Sequence, residues 1–383
     1  MKKLLILLTC LLLGQGLYAQ TDRDIKAAEK KEEADRKAAQ SNWRKRYDYV
    51  GGFTEGLALV KLNGKYGFVN TSGKVVISLK YDGAWEFSEG LARVNLNDKF
   101  GFVNKSGVEV IPLKYYGAGY FKGGLAIVKL NDKFGFVNQS GEVVIPLKYE
   151  YVHDFSEGLA EVELGGKSGY VNQSGDVVIP LIYQNSNPFS EGLASVKLNG
   201  KWGYINKSGE EVIPFKYNSA WNFNEGLAGV KLNDKWGYVN TSGVDVIPLK
   251  YDHIQNFKEG LALVKLNGKY GFVNKSGEVV IPLTHDDAWH FKEGMGMVML
   301  NGKYGFVNKS GEVVIPLTYD DAIGFSEGLA AVKLNDKCGF IDKSDQEVIP
   351  LIYTKAQSLT NGKAKVKLNG REFYIDKNGN EIK

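Results

Sequence analysis

Residues 285–290 and their counterparts thirty-four residues later hold the densest set of side chains that could do chemistry. The set contains two histidines and four aspartates: His285, Asp286, Asp287, His290, Asp320 and Asp321. Imidazole nitrogens and carboxylate oxygens are metal ligands, and the same groups serve as acid and base in hydrolysis. Their spacing matches no strong motif such as His-Glu-x-x-His. We therefore interpret them as solvated loop residues, and we expect no metal site and no cofactor.

Signatures of a nucleophile or of a phosphate-binding loop do not occur elsewhere in the sequence. There is no Gly-x-Ser-x-Gly elbow and no glycine-rich loop that opens a helix. Serines such as Ser72 and Ser106 recur in one turn-like context instead. The sequence therefore predicts that the protein is not an enzyme.

Aromatic residues and three histidines gather in five-residue segments that vary more than the rest of the chain. Seven of them are our candidate binding residues: Trp85, Tyr120, His153, Trp221, His253, Trp289 and His290. Tyr116 and Tyr151 lie in the same segments. Aromatic rings with amides and carboxylates between them suit both sugar rings and protein hot spots. The alternative is that the rings fill gaps inside the fold, since each of the three tryptophans follows an alanine. Both interpretations stay open.

These segments belong to a repeat of thirty-four residues that has no insertion. Its central position holds a glycine in nine copies and a phenylalanine in the tenth: Gly67, Gly101, Gly135, Gly169, Gly203, Gly237, Gly271, Gly305, Gly339 and Phe373. A chain of 383 residues would otherwise suggest two or three domains. A strict period predicts instead one quasi-one-dimensional array of like units.

Each unit contains three patterns typical of short strands. In the first copy they cover residues 57–62, 65–70 and 74–81. Along the first strand, alternate positions stay apolar, whereas the Leu59 position becomes Arg93 and Glu161 in later copies. This alternation predicts a half-buried strand with one constant face and one free face.

Two turns and a linker join the predicted strands. Asn63-Gly64 accepts positive φ at both positions and predicts a tight hairpin. Asn70-Thr71-Ser72-Gly73 begins with Asn and ends with Gly, which predicts a type I turn with a bulge. Residues 82–86 lead to the next unit, and we expect this linker to be a loop at one edge.

Two constant positions bear on how the strands pack. Pro112 and its equivalents cannot donate to a strand ladder, so the third strand should be a sheet edge or bend there. Gly67 and its equivalents leave room for an aromatic ring from a neighbour. We predict an all-β repeat protein of stacked three-stranded antiparallel units that form an open superhelix or solenoid. A closed, propeller-like ring is the alternative, disfavoured because propeller blades usually have four strands.

The Glu89 and Lys65 positions are nearly constant as well. We interpret them as a repeated ion pair or hydrogen bond that holds the turn, because a group present in every copy suits scaffolding more than a single binding site. The last copies lose the pattern: Asp345 replaces the turn glycine and Leu359 replaces the phenylalanine. Polar substitution in terminal repeats predicts a cap.

Residues 1–46 precede the array, which covers residues 47–383. Residues 1–19 have a charged start, an apolar run and Ala19 at their end, which predicts a signal peptide. The run is too short to span a bilayer, so we expect no transmembrane segment in the mature chain. Cys10 lies inside the run, which favours simple cleavage over lipidation. Residues 20–46 are rich in Ala, Lys and Glu and predict a charged helical spacer, with Trp43 docked on the first repeat.

Charge and cysteine content limit the classes of partner and cross-link. The formal charge is +4, and loss of Lys2 and Lys3 with the leader would leave +2. This is too near neutral for a dedicated nucleic-acid binder. After cleavage only Cys338 remains, so no intrachain disulfide can form.

One phrase carries a resemblance to a known family: Lys201-Trp202-Gly203-Tyr204-Ile205-Asn206-Lys207-Ser208-Gly209-Glu210, with Val212-Ile213-Pro214 after it. It resembles the bacterial WG repeat, also called the KWG repeat, and the resemblance extends over ten copies from residue 47 to residue 383. Most copies have Tyr or Phe in place of Trp202, which keeps the aromatic character. The resemblance implies a secreted or envelope-associated β-rich protein with no established enzymatic activity, and it brings no catalytic residues.

Our main functional hypothesis is a non-enzymatic exported scaffold. Its repeat surface would bind a protein partner or a cell-envelope component in the periplasm, on the outer membrane or outside the cell. A glycan-binding module is the first alternative, because of the linker aromatics. An envelope hydrolase is the second, and its activity would depend on Asp286, Asp287 or His290.

Overall fold

The structure, a computed structural model, describes residues 43–382. The predicted signal peptide and most of the predicted spacer lie outside these residues; the described end of the spacer is a 3-10 helix, Trp43–Arg46. The chain divides into two compact units, Met1–Asp154 and Phe155–Lys383. Beyond the 3-10 helix, the regular structure of the described residues consists of β-strands.

The first unit contains three four-stranded sheets and one further strand. The first two sheets consist of β1 (Tyr49–Thr54), β2 (Leu57–Leu62), β3 (Lys65–Asn70) and β4 (Val75–Tyr81), and of β5 (Gly83–Ser88), β6 (Leu91–Leu96), β7 (Lys99–Asn104) and β8 (Glu109–Tyr115). The third sheet and the further strand are β9 (Gly117–Ala118), β10 (Leu125–Leu130), β11 (Lys133–Asn138), β12 (Val143–Tyr149) and β13 (Tyr151–Val152).

The second unit begins with three strands and continues with six four-stranded sheets. The first strands are β14 (Leu159–Leu164), β15 (Lys167–Asn172) and β16 (Val177–Tyr183). Three sheets follow: β17 (Asn185–Ser186), β18 (Leu193–Leu198), β19 (Lys201–Asn206), β20 (Glu211–Tyr217); β21 (Ser219–Ala220), β22 (Leu227–Leu232), β23 (Lys235–Asn240), β24 (Asp245–Tyr251); β25 (His253–Ile254), β26 (Leu261–Leu266), β27 (Lys269–Asn274), β28 (Val279–His285). The last three are β29 (Asp287–Ala288), β30 (Met295–Leu300), β31 (Lys303–Asn308), β32 (Val313–Tyr319); β33 (Asp321–Ala322), β34 (Ala330–Leu334), β35 (Lys337–Ile341), β36 (Glu347–Tyr353); β37 (Lys355–Ala356), β38 (Lys363–Leu368), β39 (Arg371–Asp376), β40 (Glu381–Ile382).

Each of these sheets has four antiparallel strands, so the prediction of three-stranded units was wrong. The additional strand comes from the linker: in β9, Gly117 and Ala118 pair with Lys129 and Val128 of β10. The linker backbone pairs there because the open edge of β10 presents N–H and C=O groups that need partners. In most repeats the linker is therefore a two-residue edge strand with a short loop after it. In the first two sheets it is part of the six-residue edge strands β1 and β5, so the expectation of a loop was wrong there. With four strands in a sheet, the strand count no longer favours an open array over a ring.

Both predicted turns are present. Asn63 and Gly64 have φ angles of 50° and 79°, as the tight hairpin requires. In the second turn the N–H of Gly73 donates to the Asn70 carbonyl oxygen at 2.9 Å. The Asn70 side-chain oxygen also accepts from the N–H groups of Ser72 and Lys74 at 3.1 and 3.0 Å. The asparagine side chain therefore fixes this turn as well as starting it.

The sheets are buried on both faces, and the predicted free face of the first strand was wrong. Leu59 lies in an apolar cluster with Phe68 of its own sheet and Val94 of the next. Two polar residues at the Leu59 position in later copies are also buried: Ser195 is 1% exposed and Glu161 is 7% exposed. Arg93 and Lys365, at the same position, are half-buried. The variable position thus lies between successive sheets, where each interface has its own packing.

Trp43 covers the outer face of the first sheet, as predicted. Its side chain is buried and packs with Ala58, Val60 and Val69. It also lies so close to the turn that a Cβ added to Gly73 would clash with the indole. The tryptophan takes the place that a preceding repeat has elsewhere in the unit.

A bulge in the last strand of each sheet explains the central glycine. Tyr66 pairs with Tyr81 and Phe68 pairs with Ile77, so residues 78–80 of β4 bulge opposite Gly67. A Cβ on Gly67 would lie 2.5 Å from the Ile77 carbonyl oxygen. Backbone therefore takes the space that we assigned to an aromatic ring. The prolines lie in the equivalent bulge at the sheet edge, as predicted.

The constant glutamates connect one repeat to the next. The Glu89 carboxylate accepts from the N–H groups of Gly123 and Gly124 at 2.7 and 2.8 Å. The constant lysine has a different partner, since Lys65 binds Asp82 at 2.5 Å. Both groups are structural, as we interpreted them, but they do not pair with each other.

Candidate functional site

The histidine–aspartate set at residues 285–290 is distributed among structural contacts. His285 is buried, and Asp286 binds the Lys269 ammonium at 2.6 Å and the N–H of Asn301 at 2.7 Å. The hydrogen bond from Lys269 holds the pKa of Asp286 below its ordinary value. Within residues 43–382, no group of three His, Cys, Asp or Glu side chains is placed to hold a metal ion.

The three candidate tryptophans are half-buried and pack on the aromatic residue that precedes the central glycine. The ring pairs, with their centroid distances, are Trp85–Phe100 (5.7 Å), Trp221–Trp236 (4.7 Å) and Trp289–Tyr304 (5.6 Å). The partners are fifteen residues apart in every pair, a sequence signal that we did not use. Trp221 and Ile254 of the next sheet both lie against Gly229, where an added Cβ would be 2.7 and 2.8 Å from their side chains. These contacts agree with the gap-filling interpretation, while a binding role stays a prediction.

The other candidate residues are more accessible. Tyr120 is half-exposed, and the Arg93 guanidinium lies 4.7 Å from its ring centroid and 3.9 Å from that of Trp85. Arg93 also donates to the Ala118 carbonyl oxygen, and burial lowers its pKa. The structure thus brings Trp85 and Tyr120 together around one arginine.

The three candidate histidines differ in environment. His153 is half-buried and meets the Tyr151 ring edge-on at a centroid distance of 4.9 Å. His253 and His290 are exposed. Their role in binding stays a prediction.

Exposed linker aromatics concentrate in the first unit. Tyr116, Tyr120 and Tyr151 are 57%, 50% and 47% exposed. In the described linkers of the second unit the Tyr, Phe and Trp residues are Trp221 and Trp289, both half-buried. Exposed aromatic rings are enriched where proteins bind partners.

A groove of about 570 Å³ in the first unit adjoins this exposed region. Four aromatic rings and three polar side chains line it: Tyr66, Trp85, Phe100 and Tyr116, with Asp82, Asn95 and Asp98. We refer to this cavity as the aromatic groove. Its volume falls within the range of small-ligand sites, roughly 300–1,000 Å³. Of these residues, only Trp85 was among our candidates.

Charged groups of both signs surround the aromatic groove. Asp82 accepts from Lys65 and from the N–H of Asn97, and these bonds lower its pKa. Lys99 places its ammonium 3.1 Å from the centroid of the Tyr116 ring. Lys61 lies 4.9 Å from the centroid of the Tyr66 ring, and Arg93 lies 3.9 Å from that of Trp85. The groove and its rim therefore carry the carboxylates of Asp82 and Asp98 and four cationic groups.

A second groove, in the last repeats, is lined mainly by charged residues. It has a volume of about 360 Å³ and includes Lys355, Lys367 and Glu372 beside Cys338. Burial raises the pKa of the Cys338 thiol, so the thiol form is favoured. Lys355 and Lys367 are directly opposite each other on paired strands, an arrangement that is unfavourable for like charges.

Comparison with known families gives one match, and it extends along nearly all the described residues. The family described as "WG containing repeat" matches ten segments: residues 45–66, 66–100, 100–134, 134–167, 169–202, 202–236, 236–270, 270–304, 304–338 and 339–371. The segments follow the thirty-four-residue period. No curated protein matches the chain by sequence.

Solved structures with similar features share little sequence with this chain. A structure titled as the eukaryotic initiation factor has 12% identity, a TM-score of 0.43, and coverage of 77% of this chain and 96% of its own. The extracellular domain of a putative one-component system from B. thetaiotaomicron has 9% identity, a TM-score of 0.27, and coverage of 88% and 60%. PorZ, a surface component of the type-IX secretion system of Porphyromonas gingivalis, has 9% identity, a TM-score of 0.26, and coverage of 88% and 62%. Scores this low support no statement about function. Across residues 43–382 we find no helix with the length and apolar character of a membrane span.

Proposed function

Because the chain belongs to the WG-repeat family, we propose that it is a non-enzymatic scaffold that binds another macromolecule through the variable edge of its repeats. This linker edge consists of residues 82–86 and their equivalents in the other repeats. The partner is a protein or a component of the cell envelope. The leader pattern of residues 1–19 supports export.

The observation that carries the proposal is that the constant positions make contacts within the fold, whereas the variable edge carries exposed aromatic residues. The constant glycines, glutamates and turn asparagines are occupied by contacts within and between repeats, as Gly67, Glu89 and Asn70 show. The linker edge is less constant: five repeats have Asp at its first position, whereas the third repeat has Tyr116 there. This edge carries exposed tyrosines at 116, 120 and 151. In a repeat protein, a surface that is free to vary and rich in exposed aromatics is the surface available for recognition.

The hydrolase alternative gains no support from the described residues. Asp286 is held by Lys269, and the Asp287 carboxylate accepts from the N–H of Ala288. His290 is exposed. Both carboxylates therefore make contacts within the fold.

Capture from a cell-envelope fraction tests the proposal. The purified chain is immobilised, and its bound components are compared with those of a variant that carries Tyr116→Asp, Tyr120→Asn and Tyr151→Ser. Each replacement occurs at the equivalent position of another repeat, so the fold should be retained. We expect the variant to lose at least 80% of each captured component, on the order of one to two kcal/mol of binding free energy.

A matched control places changes on the opposite edge. Thr71→Lys and Thr241→Lys introduce the lysine that several other repeats carry in the turn. This control should capture the same components as the native chain. Equal capture by the tyrosine variant and the native chain would remove the linker edge from the account.

A further inference from the structure

The aromatic groove differs from the equivalent places in other repeats at two positions. The Asn95 position is lysine in seven of the ten repeats. The Tyr116 position is polar or charged in the other nine copies, with Asp at 48, 82, 252, 286 and 320. Both departures face one cavity, together with Trp85.

The first departure leaves two polar side chains available. Where a repeat has Asp in the hairpin turn after a lysine, the two residues form an ion pair: Lys129–Asp132 at 2.9 Å, Lys231–Asp234 at 3.0 Å and Lys333–Asp336 at 2.9 Å. Asp98 has the same turn position, with positive φ, but Asn95 replaces the lysine. Within the described residues, the structure gives neither the Asn95 amide nor the Asp98 carboxylate a side-chain partner. An amide and a carboxylate together offer donors and acceptors to a hydroxyl-bearing ligand.

The second departure adds an exposed ring. In the equivalent position Asp82, Asp252, Asp286 and Asp320 each bind a lysine and a backbone N–H, as Asp252 does with Lys235 at 2.6 Å and Asn267 at 2.7 Å. Tyr116 cannot do this, and its ring is 57% exposed. The groove thereby gains an aromatic surface beside the Trp85–Phe100 pair, which suits the apolar face of a flat ring.

Resting on the proposed function, we infer that the aromatic groove binds a neutral oligosaccharide. Asn95 and Asp98 provide hydrogen bonds to adjacent hydroxyl groups, while Tyr116, Phe100 and Trp85 contact the C–H faces of the sugar rings. Groups of both signs border the groove, with carboxylates at Asp82 and Asp98 and cations that include Lys99 and Arg93. A ligand without net charge meets no net repulsion from either sign, which favours it over a strongly anionic or cationic one.

Two substitutions that restore the repeat pattern test this inference. Asn95→Lys should pair with Asp98 as Lys129 pairs with Asp132, and its side chain should fill the groove. Tyr116→Asp should pair with Lys99 and remove the ring. Both variants should unfold at the native midpoint or above it, because the same pairs exist in other repeats. Lost binding would then not reflect lost structure.

Isothermal titration with purified full chain measures the binding. The probes are maltohexaose, cellohexaose, chitohexaose and mannohexaose, with oligogalacturonate and tetramethylammonium as charged counter-probes. We expect the native chain to bind at least one neutral probe, and Asn95→Lys and Tyr116→Asp to weaken it at least tenfold, about 1.4 kcal/mol. Lys231→Asn, the matched change in a repeat without the exposed ring, should leave affinity within about twofold, well under 1.4 kcal/mol.

Each other outcome overturns the inference. A native chain that binds none of the four neutral probes, a preference for either charged probe, or equal binding by the two restoring variants would each do so. The envelope-capture experiment separates this failure from failure of the proposed function. If capture still depends on the linker tyrosines while no sugar binds, the scaffold role stands and the partner is not a neutral glycan.

Discussion

Replacing one central glycine by alanine examines the contact on which every repeat depends. In Gly271→Ala, the added Cβ would lie 2.4 Å from the Ile281 carbonyl oxygen and 2.9 Å from the Leu283 nitrogen. Non-bonded heavy atoms normally stay roughly 3.5 Å apart. The bulge of β28 must therefore move by about 1 Å away from β27.

The expected cost follows from three contributions. Overpacking of this size costs about 1–3 kcal/mol. A weakened ladder hydrogen bond between β27 and β28 adds about 1 kcal/mol. Alanine in a strand regains about 0.5–1 kcal/mol over glycine. The net expectation is a destabilisation of about 2 kcal/mol, concentrated in the repeat that contains residue 271.

Denaturant unfolding and amide hydrogen exchange measure this effect. Exchange should accelerate in β27 and β28 first, because stability in a repeat array is largely local. Gly324→Ala is the matched control in the same unit, since a Cβ there meets no atom within 4 Å. It should change stability by less than about 0.5 kcal/mol. Native stability and unchanged exchange in Gly271→Ala would refute the reasoning.

Three further predictions concern the ends and interfaces of the repeats. Trp43→Ala should cost about 3 kcal/mol and speed amide exchange in β2 and β3, because the indole covers their outer face; unchanged exchange there would contradict the docking. Glu259 and Lys309, whose charged groups are 2.9 Å apart, should show a coupling free energy of about 0.5–1 kcal/mol in a double-mutant cycle at low salt, and less in concentrated salt. No coupling at low salt would show that this ion pair does not stabilise the fold. Burial raises the pKa of Glu161 from 4.5 to about 7, so its neutral form is favoured in the folded state and stability falls as pH rises through 4.5–7. Urea titrations measure the free energy of unfolding of Glu161→Gln minus that of the native chain. This difference should be up to about 3 kcal/mol larger at pH 8 than at pH 4, and a difference that does not change with pH would contradict the raised pKa.

The sequence predicts those parts of the fold that local chemistry determines. Asn63-Gly64 and the Asn70–Gly73 turn form as expected because their backbone angles and side-chain hydrogen bonds depend on neighbouring residues. The proline position lies in an edge strand for a similarly local reason, the missing N–H. The family assignment also follows from sequence, because the period itself carries it.

Structural features that depend on contacts beyond a single strand or repeat could not be predicted from the residue pattern of one repeat. The two-residue strand Gly117–Ala118 is too short to show a period, and it forms only because β10 has an open edge. Variation at the Leu59 position suggests solvent, yet stacking buries it between sheets. The Gly67 position is occupied by the backbone of a bulge, which no residue pattern reveals.

Most residues of the aromatic groove can be identified by aligning the repeats with one another. Asn95 and Tyr116 are ordinary residues until they are aligned with the lysines and aspartates of the other repeats. Of the groove's residues, the sequence singled out only Trp85, as an aromatic of the variable linker, and its ring is half-buried. Asp98 stands out only by comparison with the Lys129–Asp132 ion pair, because Asn95 replaces the lysine that would pair with Asp98. Departures from an internal consensus are therefore the better signal in a chain of near-identical units.

The central claim is that the linker edge binds the partner, while the constant positions stabilise the fold. Mapping the contact surface of the bound chain tests this claim most directly. Amide hydrogen exchange is compared between the free chain and the chain bound to its captured envelope component. The account predicts slower exchange in residues 82–86 and 116–120, with the turns at 70–73 and 104–107 unchanged. Slower exchange at those turns, with none in the linkers, would contradict it.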